Sequence, residues 1–229
     1  NQNLVDEELE ERALRKLGRL LGKSITLIFI GVGALLGSWE FGIWTFEQWQ
    51  SRKAAKNYAN IASQLYFEEN NPKVAKSFVQ KAINLQDRDI NYLYLDAYID
   101  GMSAVRKLFN LDRPYTAEEL NDTYEAFAKA SFLEQISPNN SGSFILKAQI
   151  YAALKDYKRA KKEIDDAIKI DPKNDFAYVR KGVIEYLSKD TSTALKSLDY
   201  AIELNADSKW AYLWKGIIFA DKSKLEAAL

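Results

Sequence analysis

Two patterns of apolar positions divide the chain. Residues 25–39, with the sequence ITLIFIGVGALLGSW, carry no charge, whereas the C-terminal part alternates apolar and charged positions with helical spacing. After a single charge, the apolar character continues to Phe46. As a helix, residues 25–46 would extend about 33 Å, which is enough to cross a hydrocarbon core of about 30 Å. We therefore predict a transmembrane helix over residues 24–46.

Aromatic side chains gather at one end of this segment. Trp39, Trp44 and Trp49 would lie near one membrane interface, as in the aromatic belts of membrane proteins. The alternatives are a buried core helix or the apolar region of a signal peptide, but a signal peptide ends in small residues at its cleavage site. Because WEFGIWTFEQW is bulky, the sequence favours an uncleaved anchor, with residues 47–55 as a linker or a continuation of the helix.

Charge on the two flanks predicts the orientation of this anchor. The basic residues are Arg12, Arg15, Lys16, Arg19 and Lys23 before the segment, and Arg52, Lys53 and Lys56 after it. The denser cluster on the N-terminal side favours a cytoplasmic N-terminus by the positive-inside tendency. We expect the C-terminal domain to be extracytoplasmic, facing the periplasm from a bacterial inner membrane.

Two features near the anchor indicate further contacts. Gly33 and Gly37 form a GxxxG pair, which lets another transmembrane helix approach closely. Residues 1–23, which would be cytoplasmic, have an amphipathic helical pattern. This segment would lie on the membrane lipid, dock a cytoplasmic partner or simply extend the transmembrane helix, and its pattern is compatible with all three.

The C-terminal part repeats with a period of 34 residues. KDYKRAKKEIDDAIKIDPKN, residues 155–174, aligns with KDTSTALKSLDYAIELNADS, residues 189–208, so that Ala160 corresponds to Ala194. A fixed period of this length is typical of solenoids built from helix pairs. A heptad coiled coil is the main alternative, and the period argues against it.

The repeated positions resemble those of the tetratricopeptide repeat (TPR) family. Residues 141–174 match its pattern at Phe144, Ala148, Tyr151, Ala160, Ala167 and Pro172. Residues 175–208 match at Tyr178, Gly182, Ala194 and Ala201, and depart from it at Glu185 and Ala206. The resemblance implies that the small residues let paired helices pack closely. It also implies that aromatic residues, including Tyr212 in the next unit, fill the gaps between pairs.

The remaining residues extend this stack at both ends. Residues 56–89 form a looser unit, 90–140 a unit with an insertion, and 209–229 a partial unit. Within the second of these, INYLYLDAYIDGMSAVRKLF predicts a first helix, and Thr116 followed by Glu119 predicts a capping box. TYEAFAKASFLEQISP predicts the second helix, and the insertion between them would be a loop with a short helix. The predicted fold is all-α, an N-terminal transmembrane helix followed by a TPR-like α-solenoid.

The resemblance also implies a binding surface. In TPR proteins the first helix of each unit lines a concave wall, and an apolar groove suits an extended peptide or an amphipathic helix. The corresponding positions are Asn57, Asn60, Gln64, Phe67, Ile145, Gln149, Phe176, Val179, Val183, Tyr186, Trp210, Leu213 and Ile217. The last three would alternatively pack against a capping helix. None of these positions is a lysine or an arginine, so the carboxylate clamp of chaperone-tail-binding TPRs is not expected.

Composition narrows the chemistry. The 32 basic and 32 acidic residues balance, which argues against a nucleic-acid binder. The chain has no cysteine and no histidine, which excludes disulfides, thiolate catalysis, zinc–thiolate sites and histidine-dependent triads. Asp165 and Asp166 are adjacent and would point in different directions from a helix, so they do not predict an acid–base pair. We predict neither an enzyme nor a cofactor or metal site.

Three functions fit these patterns. The first is a membrane-anchored scaffold whose extracytoplasmic TPR domain binds partner proteins in secretion or envelope assembly. The second is a structural or accessory subunit of a larger membrane complex, held by its transmembrane helix through the GxxxG face. The third reverses the topology, giving a cytosolic receptor like those of the mitochondrial outer membrane, and the basic flank disfavours it.

Overall fold

Helices account for every regular element that the structure describes. The computed structural model of the chain describes residues 39–109 and 113–227, with side chains over 44–108 and 113–223. In chain order the helices are α1 (Trp39–Phe67), α2 (Pro72–Leu85), α3 (Ile90–Phe109), α4 (Ala117–Ile136), α5 (Ser141–Ala153), α6 (Tyr157–Ile170), α7 (Asp175–Leu187), α8 (Thr191–Leu204) and α9 (Lys209–Ala227). Within these ranges the predicted all-α architecture is confirmed.

The helices stack as pairs with an inner and an outer layer. α1 packs on α2, α3 on α4, α5 on α6 and α7 on α8, and each pair contacts the next. Consecutive first helices touch one another from α1 to α9, whereas the described second helices α2, α4, α6 and α8 make no contact with one another. The first helices therefore form an inner wall and the second helices an outer layer, which is the arrangement of a TPR-like solenoid.

A repeated turn joins the first helix of a pair to the second. Lys155 and Lys189, 34 positions apart, both adopt left-handed backbone with φ of 62° and 69°. The next residues, Asp156 and Asp190, cap α6 and α8 by accepting a hydrogen bond from the backbone N–H three positions on. The turn therefore fixes where each second helix begins, although no glycine marks it in the sequence.

Small residues pack the helix pairs together, as the resemblance implied. The described small positions are buried, namely Ala148, Ala160, Ala167, Gly182, Ala194 and Ala201. Gly182 is closely packed, because a Cβ there would lie 2.8 Å from Leu198 Cγ and 3.0 Å from the Ala194 carbonyl oxygen. The prediction is wrong for Tyr212, which is 53% exposed because no described helix covers that face of α9.

The predicted insertion consists largely of longer helices. α3 begins at Ile90 as predicted, and the capping box between Thr116 and Glu119 is present. α4 begins directly after this cap, at Ala117, which is earlier than the predicted second helix. Both helices have 20 residues, so the extra length of the unit lies mostly in α3 and α4 and not in a short separate helix. Residues 110–112 lie outside the described ranges.

The membrane predictions fall almost entirely outside the described residues. These include the segment 1–23, the pair Gly33 and Gly37, and the transmembrane helix 24–46 up to residue 38. From Trp39 onward the chain belongs to α1, which continues through residues 47–55 without a break. Within residues 39–109 and 113–227, no helix combines the length and the apolar character that crossing a membrane requires.

Candidate functional site

An aromatic groove lies on the inner wall, between α1, α3 and the start of α7. Its volume is about 710 Å³. Side chains that line this inner groove include Asn60, Ser63 and Phe67 of α1, Tyr94 and Tyr98 of α3, and Phe176 of α7. The first, second and fourth helix pairs therefore meet at one site, which requires the stack to curve strongly.

Ring contacts join α1 to α3 along one side of the groove. Tyr66 lies edge-on to Phe67, with ring centroids 5.0 Å apart, and its ring is 5.8 Å from that of Tyr98. Tyr98 also contacts Phe67 at 5.9 Å and Tyr94 at 5.9 Å. Burial raises the pKa of Tyr66 and of Tyr94 to about 12, and neighbouring Tyr98 adds to both shifts. These hydroxyls therefore stay protonated and able to donate hydrogen bonds at physiological pH.

Close packing of α3 on α5 sets the position of these rings. A Cβ at Gly142 would lie 2.6 Å from the Tyr94 ring, and one at Gly101 would lie 2.5 Å from a Leu146 methyl carbon. Both glycines let the two helices approach more closely than any larger residue permits. A side chain at position 142 would therefore displace the Tyr94 ring that lines the groove.

One arginine from α7 lies beside the groove. The Arg180 guanidinium stacks over the Phe176 ring, 4.5 Å from its centroid. Burial lowers the pKa of Arg180, and the tyrosine side chains of Tyr98, Tyr94 and Tyr66 oppose that shift, with Tyr98 also hydrogen-bonding to it. Its Nε is buried and has no hydrogen-bond partner among the described residues. A cation is thus held at the edge of an aromatic surface.

The predicted wall positions on α1 are exposed. Asn57, Asn60 and Gln64 are open to solvent, and Phe67 is 62% exposed. Asn60 and Phe67 line the inner groove, whereas Asn57 and Gln64 do not. Of the four positions predicted on α1, only Asn60 and Phe67 therefore belong to the groove.

The predicted wall positions on α5 and α7 are mostly buried. Ile145 and Gln149 present almost no surface because α5 lies beneath α3, α4, α6 and α7. Val179 and Val183 are buried in the same way, since α7 is covered by α5, α6, α8 and α9. As the helices stand, these four side chains offer a partner little surface.

The other two positions on α7 have different surroundings. Phe176 lines the inner groove together with α1 and α3. Tyr186 is half-buried, and its hydroxyl donates a hydrogen bond to Asp221 of α9. It therefore ties α7 to α9 and does not contribute to the groove.

The predicted positions on α9 lie away from the groove. Trp210 and Leu213 are more than half exposed, and Ile217 is half-buried. Tyr212 and Phe219 are also more than half exposed, so α9 carries a separate apolar surface. No described helix covers it.

Several groove residues were not predicted from the sequence. Tyr94 and Tyr98 were treated only as parts of a helix, and Arg180, which lies beside the groove, was missed because it is one position beyond Val179. A signal was present for the tyrosines, because Tyr94 and Tyr98 lie four residues apart and share one face of α3. For Arg180 no signal was present, because the repeat pattern assigns the neighbouring Val179 to the wall.

The two adjacent aspartates of α6, Asp165 and Asp166, form ion pairs. Asp165 accepts from Lys181 at 2.7 Å, and Asp166 accepts from Lys169 at 2.7 Å and from Lys162 at 3.2 Å. These two adjacent carboxylates thus face different lysines. Among the described residues, no cluster of three acidic side chains has the arrangement of a metal site.

Comparisons with known proteins agree with this fold. The family model described as a tetratricopeptide repeat matches residues 141–174. A thermophilic TPR protein of Thermus thermophilus is 13% identical, over 73% of this chain and 100% of that one, with a TM-score of 0.51. A pilF structure from Pseudomonas aeruginosa is 14% identical, over 76% of this chain and 72% of that one, with a TM-score of 0.53. No curated protein sequence matches the chain.

These similarities establish a TPR-like solenoid. At 13% and 14% identity they concern the fold alone. TPR proteins in general mediate protein–protein interactions.

Proposed function

We propose that this chain is a membrane-anchored protein-interaction scaffold that binds an extended segment of a partner protein in the inner groove. The observation that carries the proposal is the groove itself, which combines about 710 Å³ of space with polar groups and with aromatic side chains, of which Phe67 is exposed and the others are half-buried. Aromatic walls supply contact area at low entropic cost, and amide side chains such as Asn60 can hydrogen-bond to a peptide backbone. An extended peptide can bind in a groove of this kind, with its side chains against the rings.

The anchor is the second part of the proposal. Its support is the uncharged stretch 25–39, the apolar continuation to Phe46 and the basic cluster on the N-terminal side. With this orientation the solenoid lies outside the cytoplasm, in a bacterium on the periplasmic face of the inner membrane. A tethered groove at that place would hold a partner during secretion or envelope assembly.

Site-specific photo-crosslinking in cells tests the groove. A photoreactive phenylalanine analogue at Phe67, which is 62% exposed in the groove, should crosslink to a discrete partner. The matched control is Phe132 of α4, which is 51% exposed on the outer layer. We expect the partner band from position 67 only. Equal crosslinking from both positions, or none from position 67, would contradict binding in the groove.

Carbonate extraction and thiol labelling test the anchor and its sidedness. Because the chain has no cysteine, a single cysteine reports its own accessibility without background. Ser192 is an exposed position in α8, and is preferable to Ser141, which is half-buried beside Asn174. We expect a Ser192→Cys protein to stay with membranes and to react with an impermeant maleimide added outside the cytoplasm. Release by carbonate would remove the tether from the proposal.

A structural subunit of a membrane complex is the second candidate. The observation that favours it is the apolar surface of α9, where Trp210, Tyr212, Leu213 and Phe219 are all more than half exposed. A surface of this kind suits a permanent interface better than a transient one.

Purification in mild detergent separates the two candidates. A stoichiometric complex that depends on Gly33 and Gly37 would favour the subunit. A monomer that binds its partner through the inner groove would favour the scaffold.

A further inference from the structure

Among the described residues, Arg180 has no acidic partner. Its neighbours at the groove are rings and hydroxyl groups, and within the described residues no carboxylate is among the groups that act most strongly on it. Its Nε is buried and has no hydrogen-bond acceptor there. A buried charge is costly unless an opposite charge or hydrogen bonds compensate it. Arg180 is therefore incompletely satisfied in the chain by itself.

Arg159 shows what a satisfied arginine looks like in this fold. It also stacks on a ring, 4.6 Å from the Tyr151 centroid. However, its Nε donates to Asp156 Oδ2 at 2.5 Å, and its side chain is 62% exposed. The two arginines lie at similar distances from a ring, but Arg159 is exposed and has the Asp156 carboxylate, whereas Arg180 is buried at Nε and has no carboxylate among the described residues.

The inner groove offers the space for the missing carboxylate. Tyr94, Tyr98 and Phe176, which surround Arg180, also line the groove. Tyrosine hydroxyls can donate to a carboxylate oxygen, so an acid there would receive hydrogen bonds from Arg180 and from the phenols. The aromatic rings beside it would cover an apolar neighbour of that acid. Arg180 itself lies behind these lining side chains, and the charged groups that line the groove, Lys56 and Asp89, have opposite signs.

We infer that the inner groove recognises an internal segment of a partner protein in which one aspartate or glutamate side chain, flanked by apolar residues, binds Arg180. This inference deepens the proposed function and rests on it. A single acid is specified, because Arg180 offers one guanidinium that lacks a carboxylate among the described residues, and the two charges that line the groove, Lys56 and Asp89, offset each other. An internal segment is specified because Asn60 and Asn91 along the groove can hydrogen-bond to a backbone that continues past the acid.

Peptide display against the full-length chain in detergent micelles tests this recognition. The library presents random ten-residue segments between fixed Gly-Ser flanks, so that no free carboxyl terminus is offered. We expect the selected segments to share one acidic position between apolar residues. A selected peptide is then synthesised with blocked ends, beside its Glu→Gln counterpart and a version with a free C-terminus.

A double-mutant cycle assigns the contact. Arg180→Gln should weaken the glutamate peptide by about ten- to hundredfold and should leave the glutamine peptide almost unchanged. Arg159→Gln is the matched control and should change neither affinity. Circular dichroism shows whether the Arg180→Gln variant folds. If it does not, the affinities of the glutamate and glutamine peptides for the unmodified chain test the same contact.

Three outcomes would overturn the inference, and they differ in what they leave standing. Selected segments without a shared acid, or equal losses for both peptides with Arg180→Gln, would remove the acid contact and leave the groove as a peptide site. A marked gain from the free C-terminus would replace the side-chain acid by a terminal carboxylate. If no peptide that binds in the inner groove can be selected, the proposed function would be contradicted as well.

Discussion

The fourth helix pair and helix α9 have corresponding sequence positions but very different surroundings. Val179 of α7 is 1% exposed, whereas Leu213, 34 residues later in α9, is 51% exposed. Ala177 and Ala211 are both fully buried, and Ile184 and Ile218 are at most 2% exposed. The face that meets the preceding pair is thus the same in both helices. The difference lies on the face that the next helices cover in α7 and that no described helix covers in α9.

This difference shows that a position in a repeat does not determine its own burial. α7 contacts α5, α6, α8 and α9, whereas α9 contacts only α7 and α8 within the described part of the chain. A wall position is therefore available to a partner only where the curvature of the stack leaves it uncovered. This occurs at the inner groove and along α9.

The largest expected effect comes from a charge on the covered face. Val179→Asp would place a carboxylate among the side chains of Ala194, Leu198 and their neighbours, with no partner. We expect a loss of about 4 kcal/mol in the free energy of unfolding, measured by urea denaturation. Leu213→Asp, its counterpart in α9, should cost less than about 0.5 kcal/mol. A large loss at both positions would mean that α9 is covered in solution, for example by self-association.

Three lysines in the same register give the second test. Lys147, Lys181 and Lys215 each pair with an acid of the preceding helix pair, Glu134, Asp165 and Asp199. Lys147 alone is buried, with 7% of its side chain exposed, and it also pairs with Glu163 at 2.7 Å. Burial opposes the charge of Lys147, but its hydrogen bond to Glu134 and the negative charge of Glu163 beside it leave its pKa raised.

Replacing Lys147 and Lys215 in turn compares a buried ion pair with an exposed one. Lys147→Met leaves the Glu163 carboxylate, 12% exposed, without its cation, and we expect a loss of about 3 kcal/mol. Lys215→Met leaves Asp199 half-exposed and should cost less than about 0.5 kcal/mol. Thermal and urea unfolding measure both. Similar losses in the two variants would show that burial does not increase the contribution of the Lys147 ion pairs to stability.

A smaller effect is expected at two glycines in the same register. A Cβ at Gly182 would meet Leu198 and the Ala194 backbone, whereas a Cβ at Gly216 would meet nothing within 4 Å. Gly182→Ala should therefore destabilise the protein by about 1–2 kcal/mol, because the helices must move apart. Gly216→Ala should stabilise it by about 0.5–1 kcal/mol, since alanine favours the helix. If the urea midpoints of the two variants move in the same direction, the packing around Gly182 and Gly216 does not differ as described.

Much of the fold could be predicted from local sequence, because local pattern sets helix pairing. The bounds of α3, the capping box at Thr116 and the small positions such as Ala160 all follow from spacing within one repeat. The site was less predictable because it depends on curvature. Val179 and Arg180 are adjacent in sequence, and the stacking of α7 in the solenoid buries Val179 under its neighbours while Arg180 lies beside the tyrosines of the groove. The same curvature buries Ile145, which the repeat pattern alone assigns to the wall.

The smallest effect concerns the pH dependence of stability at Glu185, whose register partner in α9 is Phe219. Glu185 is buried, and this burial raises its pKa above the ordinary value of 4.5, although Ser197 Oγ donates to Glu185 Oε2 at 2.6 Å and opposes the shift. Lys181 and Lys161 also lower the pKa and Asp190 raises it, each by less than burial does. A carboxyl group whose pKa is raised by folding holds its proton more tightly in the folded state. Its contribution to stability is therefore complete below the unfolded pKa and is lost as the pH rises through the folded pKa.

Glu185→Gln should remove this pH dependence, because the amide is neutral throughout and its oxygen can still accept from Ser197. We expect the variant to gain stability relative to the unmodified chain as the pH rises from about 4 to about 7, with the two closest at the acid end. Phe219→Gln, on the exposed face of α9, should show a constant difference over the same range. Urea denaturation at several pH values measures both. A difference for Glu185→Gln that stays constant with pH would mean that water reaches this carboxylate in solution, and that the fourth pair is more open than its packing indicates.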